Sequence, residues 1–528
     1  MIAQVNAGCT GRRRGCSSRS TCKPTQAWFA SDMLRGRPAG GAKELKSVSV
    51  VLGALLAIIN GEPAGAANHV WIVGGGPSLF DSQSQIEENL KWVRQVIGRQ
   101  SPNSDVQTFF NGGRSSRKDV VAWRTPTESV TTLQPLARVF GAAFQNGERY
   151  YQNGVSEVDG ATEVGDLVPR LRAEVARVKN GDKVLFVFQG HGDRDASDNA
   201  GNSLKLWGDT QLTARDLGAL FADIDPRVPV RLFLPQCFSG GFARTLIARA
   251  IDMQGANGRN VCAFMSVAED KPSEGCSSSV VVGDYRDYAT YFFAALDRRT
   301  RLGRSLATDP DRDGDGVVTL REAHFYSLVN GESADVPRAT SEIYLEDWEP
   351  WYLRRLTVRP VPDNIYRTLS MELAARNGLS LEEKELVNDA EKRLTEVRQQ
   401  TAELKRQQNA LRQEVEPLQA GIRAEVLAQW PEARFPYTAN FLAFLQKDLG
   451  PAQRFITHHA DYARLVWLQE RNMRLDEQIL ASDRRGAQLE KIIRLQRLAR
   501  ILDKFERVAG MADRAVYEKL VACEGSSP

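Results

Sequence analysis

Four short apolar runs stand out along the first half of the chain: His69–Val73, Val106–Phe110, Val184–Phe188 and Arg231–Leu234. Each is rich in Val, Ile, Leu or Phe and bounded by turn residues. Apolar side chains at both parities of such a run predict strands buried on both faces, as in a parallel sheet. The stretches between them carry the other period. Ile86, Leu90, Val93 and Ile97 recur at helical spacing within 85–97, a second helix is expected over 166–178, and a third over 214–222, where Thr213 and Asp216 form a helix-start pattern. Alternating strands and helices predict a three-layer α/β fold with right-handed crossovers over residues 68–300.

The pattern changes near Leu379. Ser380 and Glu383 form a capping-box pattern, and Leu386, Ala390, Leu394, Val397, Thr401, Leu404, Gln408, Leu411, Val415, Leu418 and Ile422 then recur at three-four spacing. Pro417 is expected to kink this helix, Pro431 and Pro436 flank a turn region, and a second helical stretch runs over 461–508. The two stretches predict an antiparallel α-helical coiled-coil hairpin, with a partner or homodimer through the same stripe as the alternative. The expected organisation is an N-terminal extension (1–67), a catalytic core (68–300), a core-completing segment (301–370) and a helical domain (371–528).

The N-terminus reads as a targeting segment. From Met33 a basic stretch (Arg35, Arg37, Lys43, Lys46) precedes an apolar run, Val48 to Ile59, and the small residues Pro63-Ala64-Gly65-Ala66-Ala67. This is the order of a secretory signal peptide, with translation expected to begin at Met33 and cleavage after Ala66 or Ala67. The run is short for a bilayer span, so no membrane span is expected after its removal. Loss of residues 1–67 removes nine Lys/Arg and three Asp/Glu, turning the formal charge from +3 to −3. That balance argues against nucleic acid as a partner. Four of the seven cysteines remain: Cys237, Cys262, Cys276 and Cys523. In a periplasmic or secreted setting, Cys262 with Cys276 is the expected disulfide and Cys237 the free thiol.

Two polar motifs close two of the apolar runs: Gln189-Gly190-His191-Gly192-Asp193 and Pro235-Gln236-Cys237-Phe238-Ser239-Gly240-Gly241. Open α/β sheets bind ligands beyond the carboxyl ends of their strands, so neighbouring strands would present both motifs to one crevice. Cysteine supplies a nucleophile once its thiolate is accessible, and histidine is the side chain suited to moving the proton near neutral pH. Glycines around both let a substrate backbone approach. A phosphate-cradling cysteine loop does not fit, because six residues, not five, separate Cys237 from Arg244.

A strand ending in His-Gly, followed 46 residues later by a strand ending in Cys-x-Ser-Gly, resembles the caspase-like cysteine peptidases, and the connecting segment Leu206-Trp207-Gly208-Asp209-Thr210-Gln211-Leu212-Thr213-Ala214-Arg215-Asp216-Leu217 is similar to their legumain branch. The resemblance spans residues 68–350. It implies a caspase-like three-layer α/β/α sandwich with a mostly parallel sheet. It also implies a Cys-His dyad of Cys237 (nucleophile) and His191 (proton donor), with an oxyanion hole from the amides of Gly192 and Cys237. Ser273 and Asp284 fall where that family places parts of its substrate pocket. The chain departs from legumains at Pro235, where they carry an acid, and at Gly74–Ser78, where they carry Arg-His. Asparagine preference therefore does not follow, and Asp284 alone would favour a basic or polar side chain.

Residues 311–322 match the twelve-residue EF-hand loop: Asp311, Asp313 and Asp315 as carboxylate ligands, Val317 through its carbonyl, Thr319 directly or through water, and Glu322 bidentate. Gly316 permits the turn and Val318 is the apolar anchor. A structural Ca²⁺ is expected there, with no cofactor needed for chemistry.

The expected function is a secreted or periplasmic cysteine endopeptidase acting on protein or peptide substrates. The alternatives are a catalytically silent caspase-like scaffold that binds partners through its coiled coil, and a peptide transamidase or ligase. N-terminal sequencing of the exported protein should begin near Asn68; a product beginning at Met1 would overturn the signal-peptide reading.

Overall fold

The computed structural model describes residues 65–123, 133–141, 148–250, 258–277, 279–354, 363–435 and 438–528. Residues 1–64 of the expected signal segment lie outside them. Six strands form the central sheet: β1 (Asn68–Gly75), β2 (Asp105–Phe110), β3 (Lys183–Gly190), β4 (Val230–Leu234), β5 (Val261–Met265) and β6 (Arg338–Ala339), in the order β6-β5-β4-β3-β1-β2. All neighbours pair parallel except β5 and β6. The four runs picked out by their apolar pattern are β1 to β4, and they are contiguous in the sheet.

Strand parity explains the layers. Val70, Ile72, Leu185, Val187, Phe233 and Phe264 point to one face, where they pack on α1 (Ser84–Gln100), with Leu90 and Val93 fully buried. Trp71, Val73, Phe186, Phe188, Leu232 and Leu234 point to the other, under α2 (Val164–Val175), α3 (Ala214–Leu220) and α4 (Gly241–Ala250). Two later helices, α5 (Tyr288–Asp297) and α6 (Leu320–Asn330), return to the α1 face. Thr213 caps α3 in a true capping box with Asp216. The chain is thus α/β with helices on both faces of a mostly parallel sheet.

The C-terminal region is a hairpin built onto this body. Helix α7 (Thr340–Trp348) and α8 (Ile365–Arg376) lead to α9 (Glu383–Gln429), which lies against α10 (Tyr462–Val508), and α11 (Met511–Glu524) follows. Pairing runs antiparallel: Arg398 meets Glu490, Thr401 meets Ser482 at 2.8 Å, and Glu414 meets Arg464 at 2.9 Å. The apolar stripe is therefore covered within one chain. Its base merges with the sheet core, since Leu386, Ala390, Leu394, Leu489, Ile492, Leu495 and Leu498 share a cluster with Trp71 and Phe186. Its far end closes on a short helix, Gln134–Phe140, contributed by the core region.

Two local expectations change. The N-cap of α9 is Glu382 and not Ser380, whose Oγ accepts from the Glu382 amide at 3.2 Å. Pro417 lies inside α9, which continues through it, with neighbouring Val415 and Leu418 packed at the hairpin's far end. Cys262 pairs with Cys523, 261 residues away, and not with Cys276, which stays free beside the Gly190 carbonyl. Spacing favoured the nearer cysteine, but α11 packs on β5 and brings Cys523 to the strand.

A buried ionic cluster joins hairpin to core. Glu342 on α7, 1% exposed, accepts from Arg494 of α10 at 2.7 Å and from Nε2 of His324 on α6 at 3.1 Å. Burial alone would raise this carboxyl, but Arg494 and His324 outweigh it and hold it well below the usual range.

Non-reducing peptide mapping should recover a Cys262–Cys523 cross-link. Cys523→Ser should cost about 2–5 kcal/mol, read as a lower melting temperature.

Candidate active site

The first turn of the chain prepares the histidine. Gly75 sits at φ +125°, and a Cβ there would lie 2.0 Å from Asn111 Oδ1. Only glycine permits that approach. Asn111, fully buried, accepts from the Gly76 amide at 3.0 Å and donates to the Ser82 hydroxyl at 2.7 Å, which fixes the segment between β1 and α1. That segment delivers the Asp81 carbonyl and the Gln83 side chain to Nε2 of His191, each at 2.8 Å. The Asp81 carbonyl can only accept, so Nε2 carries the proton and Nδ1 is the basic nitrogen of the neutral ring. Burial pushes the His191 pKa below its ordinary value, and the Asp81 carbonyl partly offsets this.

The cysteine turn is clamped from β5. Ser266 donates to the Pro235 carbonyl at 2.8 Å and the Phe238 amide donates to the Lys271 carbonyl at 2.8 Å. Asn202 bridges the carbonyls of Phe238 and Glu269, each at 3.0 Å. Phe238 is held at φ +60°, an uncommon conformation for a bulky residue. The result is a sharp turn that presents Cys237 at the carboxyl rim of β4.

The two motifs meet at Gly192. A Cβ on Gly192 would lie 2.1 Å from the Cys237 carbonyl oxygen and 2.8 Å from the Gln236 side chain. The histidine loop and the cysteine turn are thus in backbone contact, as the order of neighbouring β3 and β4 requires. No direct hydrogen bond joins His191 to Cys237 among the described residues. The Cys237 sulfur instead accepts from the Ser273 amide at 3.3 Å, with the Ser273 hydroxyl 3.6 Å away. Burial raises the Cys237 pKa, nearby Cys276 adds to the rise, and the Ser273 contacts oppose it. The resting pair is a thiol beside a neutral imidazole.

Of the two residues expected in a substrate pocket, Ser273 lies against the Cys237 sulfur, whereas Asp284 is exposed on the turn Val282–Asp284. The buried polar groups nearby were not picked out in the sequence. Asn89 of α1 donates to Asp287 at 2.7 Å and to Gln189, two residues before His191, at 3.3 Å; it also accepts from Arg301. The Arg301 guanidinium lies over the rings of Trp92 and Tyr285, at 4.4 and 5.1 Å. Apart from Gln189, which opens the histidine motif, these residues come from three separated segments and stand in no local motif, so no sequence signal could have assembled them.

The acidic loop precedes α6. Asp311, Asp313 and Asp315 bring oxygens within 4.8 Å of one another, a donor set that fits a hard cation. Val318 is buried in the core as its anchor role requires. Thr319 and Glu322 are placed differently from a pure ligand role. They form the capping box of α6, and Glu322 also accepts from the Arg312 amide at 2.7 Å. Asp311 pairs with Arg298 at 3.0 Å.

Gly192→Ala should push the cysteine turn away from the histidine loop, at about 1–3 kcal/mol of overpacking. Its expected signature is a lower melting temperature together with loss of whatever reaction depends on Cys237; a variant matching the parent in both would show that the contact is not tight.

No known protein family and no curated protein matches the chain. Among solved structures it is similar to protein GSU0716 from Geobacter sulfurreducens, at 10% identity and a TM-score of 0.24, over 40% of this chain and 79% of that one. That likeness is too slight to bear on fold or function.

Proposed function

We propose that this chain is a caspase-like cysteine endopeptidase of the legumain type, exported to the periplasm or beyond, with Cys237 as nucleophile and His191 as its proton partner. The observation that carries the reading is the backbone contact between the two strand-end loops at Gly192, on one rim of a parallel sheet. In the proposed reaction the Cys237 S–H gives its proton to Nδ1 of His191 as the sulfur attacks the substrate carbonyl. The amides of Gly192 and Cys237 receive the oxyanion. His191 then protonates the departing amine as the C–N bond breaks, leaving a thioester that water hydrolyses to release the acid and the thiol. Asp81 and Gln83 act by holding the imidazole in the tautomer whose free nitrogen is Nδ1.

The lowered His191 pKa sets a direction for the pH profile. The imidazole must be neutral to accept the thiol proton, so the acid limb of activity should lie below that of an ordinary histidine. The disulfide between Cys262 and Cys523 supports an oxidising compartment. For the acidic loop we propose a structural Ca²⁺ on Asp311, Asp313 and Asp315, with the Val317 carbonyl; use of Thr319 and Glu322 would exchange their capping bonds for ligation.

The absence of a hydrogen bond between the resting dyad members also suits a silent scaffold, and a thioester can be resolved by an amine as well as by water. A peptide library assayed with and without Ca²⁺ separates these readings. Cleavage abolished by Cys237→Ala and by His191→Ala is expected, with products of hydrolytic mass; turnover surviving Cys237→Ala would overturn the mechanism, and joined peptides would identify a ligase. Calorimetry should show Ca²⁺ binding that Asp311→Ala removes, with a lower melting temperature.

A further inference from the structure

The loop that meets the nucleophile is held from the helical hairpin. Ser273, whose amide reaches the Cys237 sulfur at 3.3 Å, is followed by Glu274, which is gripped at both ends. Its amide donates to Oδ1 of Asp335 at 2.7 Å, and its carboxylate accepts from the Ala334 amide at 2.8 Å. The same carboxylate faces the Arg484 guanidinium of α10, with Nε 3.2 and 3.1 Å from its two oxygens and a further contact through Nη2. Asp335 is fully buried and also accepts from the Tyr288 amide at 3.2 Å, so it is a fixed post. Helix α10 is fixed as well: Gln488 and Lys491 both donate to the Gly331 carbonyl, at 2.9 and 2.8 Å, and Arg494 enters the Glu342 cluster.

Nothing in the apolar packing requires Arg484 where it stands. Its side chain is 33% exposed and the Glu274 side chain 15% exposed, so the pair sits at the edge of the body, partly shielded from water. An isolated exposed pair would contribute little, but a fork-shaped contact on a carboxylate that is itself hydrogen-bonded restricts geometry. The residue next in line to that carboxylate is the one that hydrogen-bonds the sulfur.

We infer that Arg484 is a positioning residue for the nucleophile: through Glu274 it holds residues 272–276 where Ser273 donates to the Cys237 sulfur. The hairpin is then part of the catalytic apparatus, acting on the thiol without touching substrate. This rests on the reading of Cys237 as nucleophile, but its test needs no peptide cleavage. A hydrogen bond to the thiolate favours the ionised form, so loosening the loop should move the ionisation of Cys237 upward.

The measurement is the rate of Cys237 alkylation by iodoacetamide across pH, read by mass on the peptide that carries it. Arg484→Ala should shift the profile to higher pH and slow alkylation near neutrality by roughly threefold to tenfold, the scale of one ordinary hydrogen bond. Glu274→Gln should do the same, and Arg484→Lys, which keeps the charge without the fork, should recover part of the loss. A profile unmoved in Arg484→Ala overturns the inference, whatever happens to the melting temperature. A shifted profile in a chain that cleaves no peptide leaves the positioning role standing and removes the peptidase reading.

Discussion

Two-sided burial of the central sheet is the constraint on which the remaining architecture depends. Parallel strands such as β1 and β3 carry apolar residues at successive positions, with Val70 to Val73 and Val184 to Phe188 all at most 2% exposed, so neither face can be left to water. Helices between successive strands cover much of both faces. The cover is completed only by α10, α11 and the residues that follow, in which Leu495, Leu498, Phe505 and Leu520 extend the cluster begun by Trp71 and Phe186. Because each crossover returns the chain to the same starting edge, the carboxyl ends of β3, β4 and β5 share one rim, and polar loops of different origin converge there.

The rim illustrates how polar groups are made specific in a buried setting. His191, Cys237 and Ser273 are each half-buried; backbone carbonyls orient the first two, that of Asp81 directly and that of Lys271 through Phe238, while the buried Asp335 carboxylate holds Ser273 through the Glu274 amide. Backbone partners cannot swing away as side chains do, so geometry is held by the fold itself. The same logic runs through the base of the hairpin, where Glu342 is satisfied by groups from two other helices. Clusters of this kind contribute less to net stability than to the uniqueness of one packing arrangement.

Much of the α/β layout was legible in the residues, because strand period and helix period are local properties. The apolar runs matched β1 to β4, and the Thr213–Asp216 box marked the start of α3 at the residue observed. The position of the loops carrying His191 and Cys237 was legible for the same reason, since strand ends mark the rim. What sequence could not supply was pairing at a distance. Cys262 had two free partners by spacing, and only the docking of α11 on β5 selects Cys523. The Gly74–Ser78 turn was noticed for what it lacked, whereas its use is to place Asp81 and Gln83 beside His191, a contact across more than a hundred residues. Ser380 with Glu383 matched a local pattern, yet the helix begins from Glu382, because capping depends on the direction from which the chain arrives.

The tie between β5 and α11 bears on when this protein becomes a folded object. Strand β5, next to the edge strand β6, is covalently joined to a helix made 261 residues later, and that helix inserts Glu524 at the start of α7, where its carboxylate takes the Ser341 amide at 2.7 Å. A ribosome that has finished the sheet strands has not yet made the surface that covers them. The nascent chain therefore stays open, with apolar strands exposed, until the last helix emerges. The last helix to be made is thus the one that closes the body around its own rim.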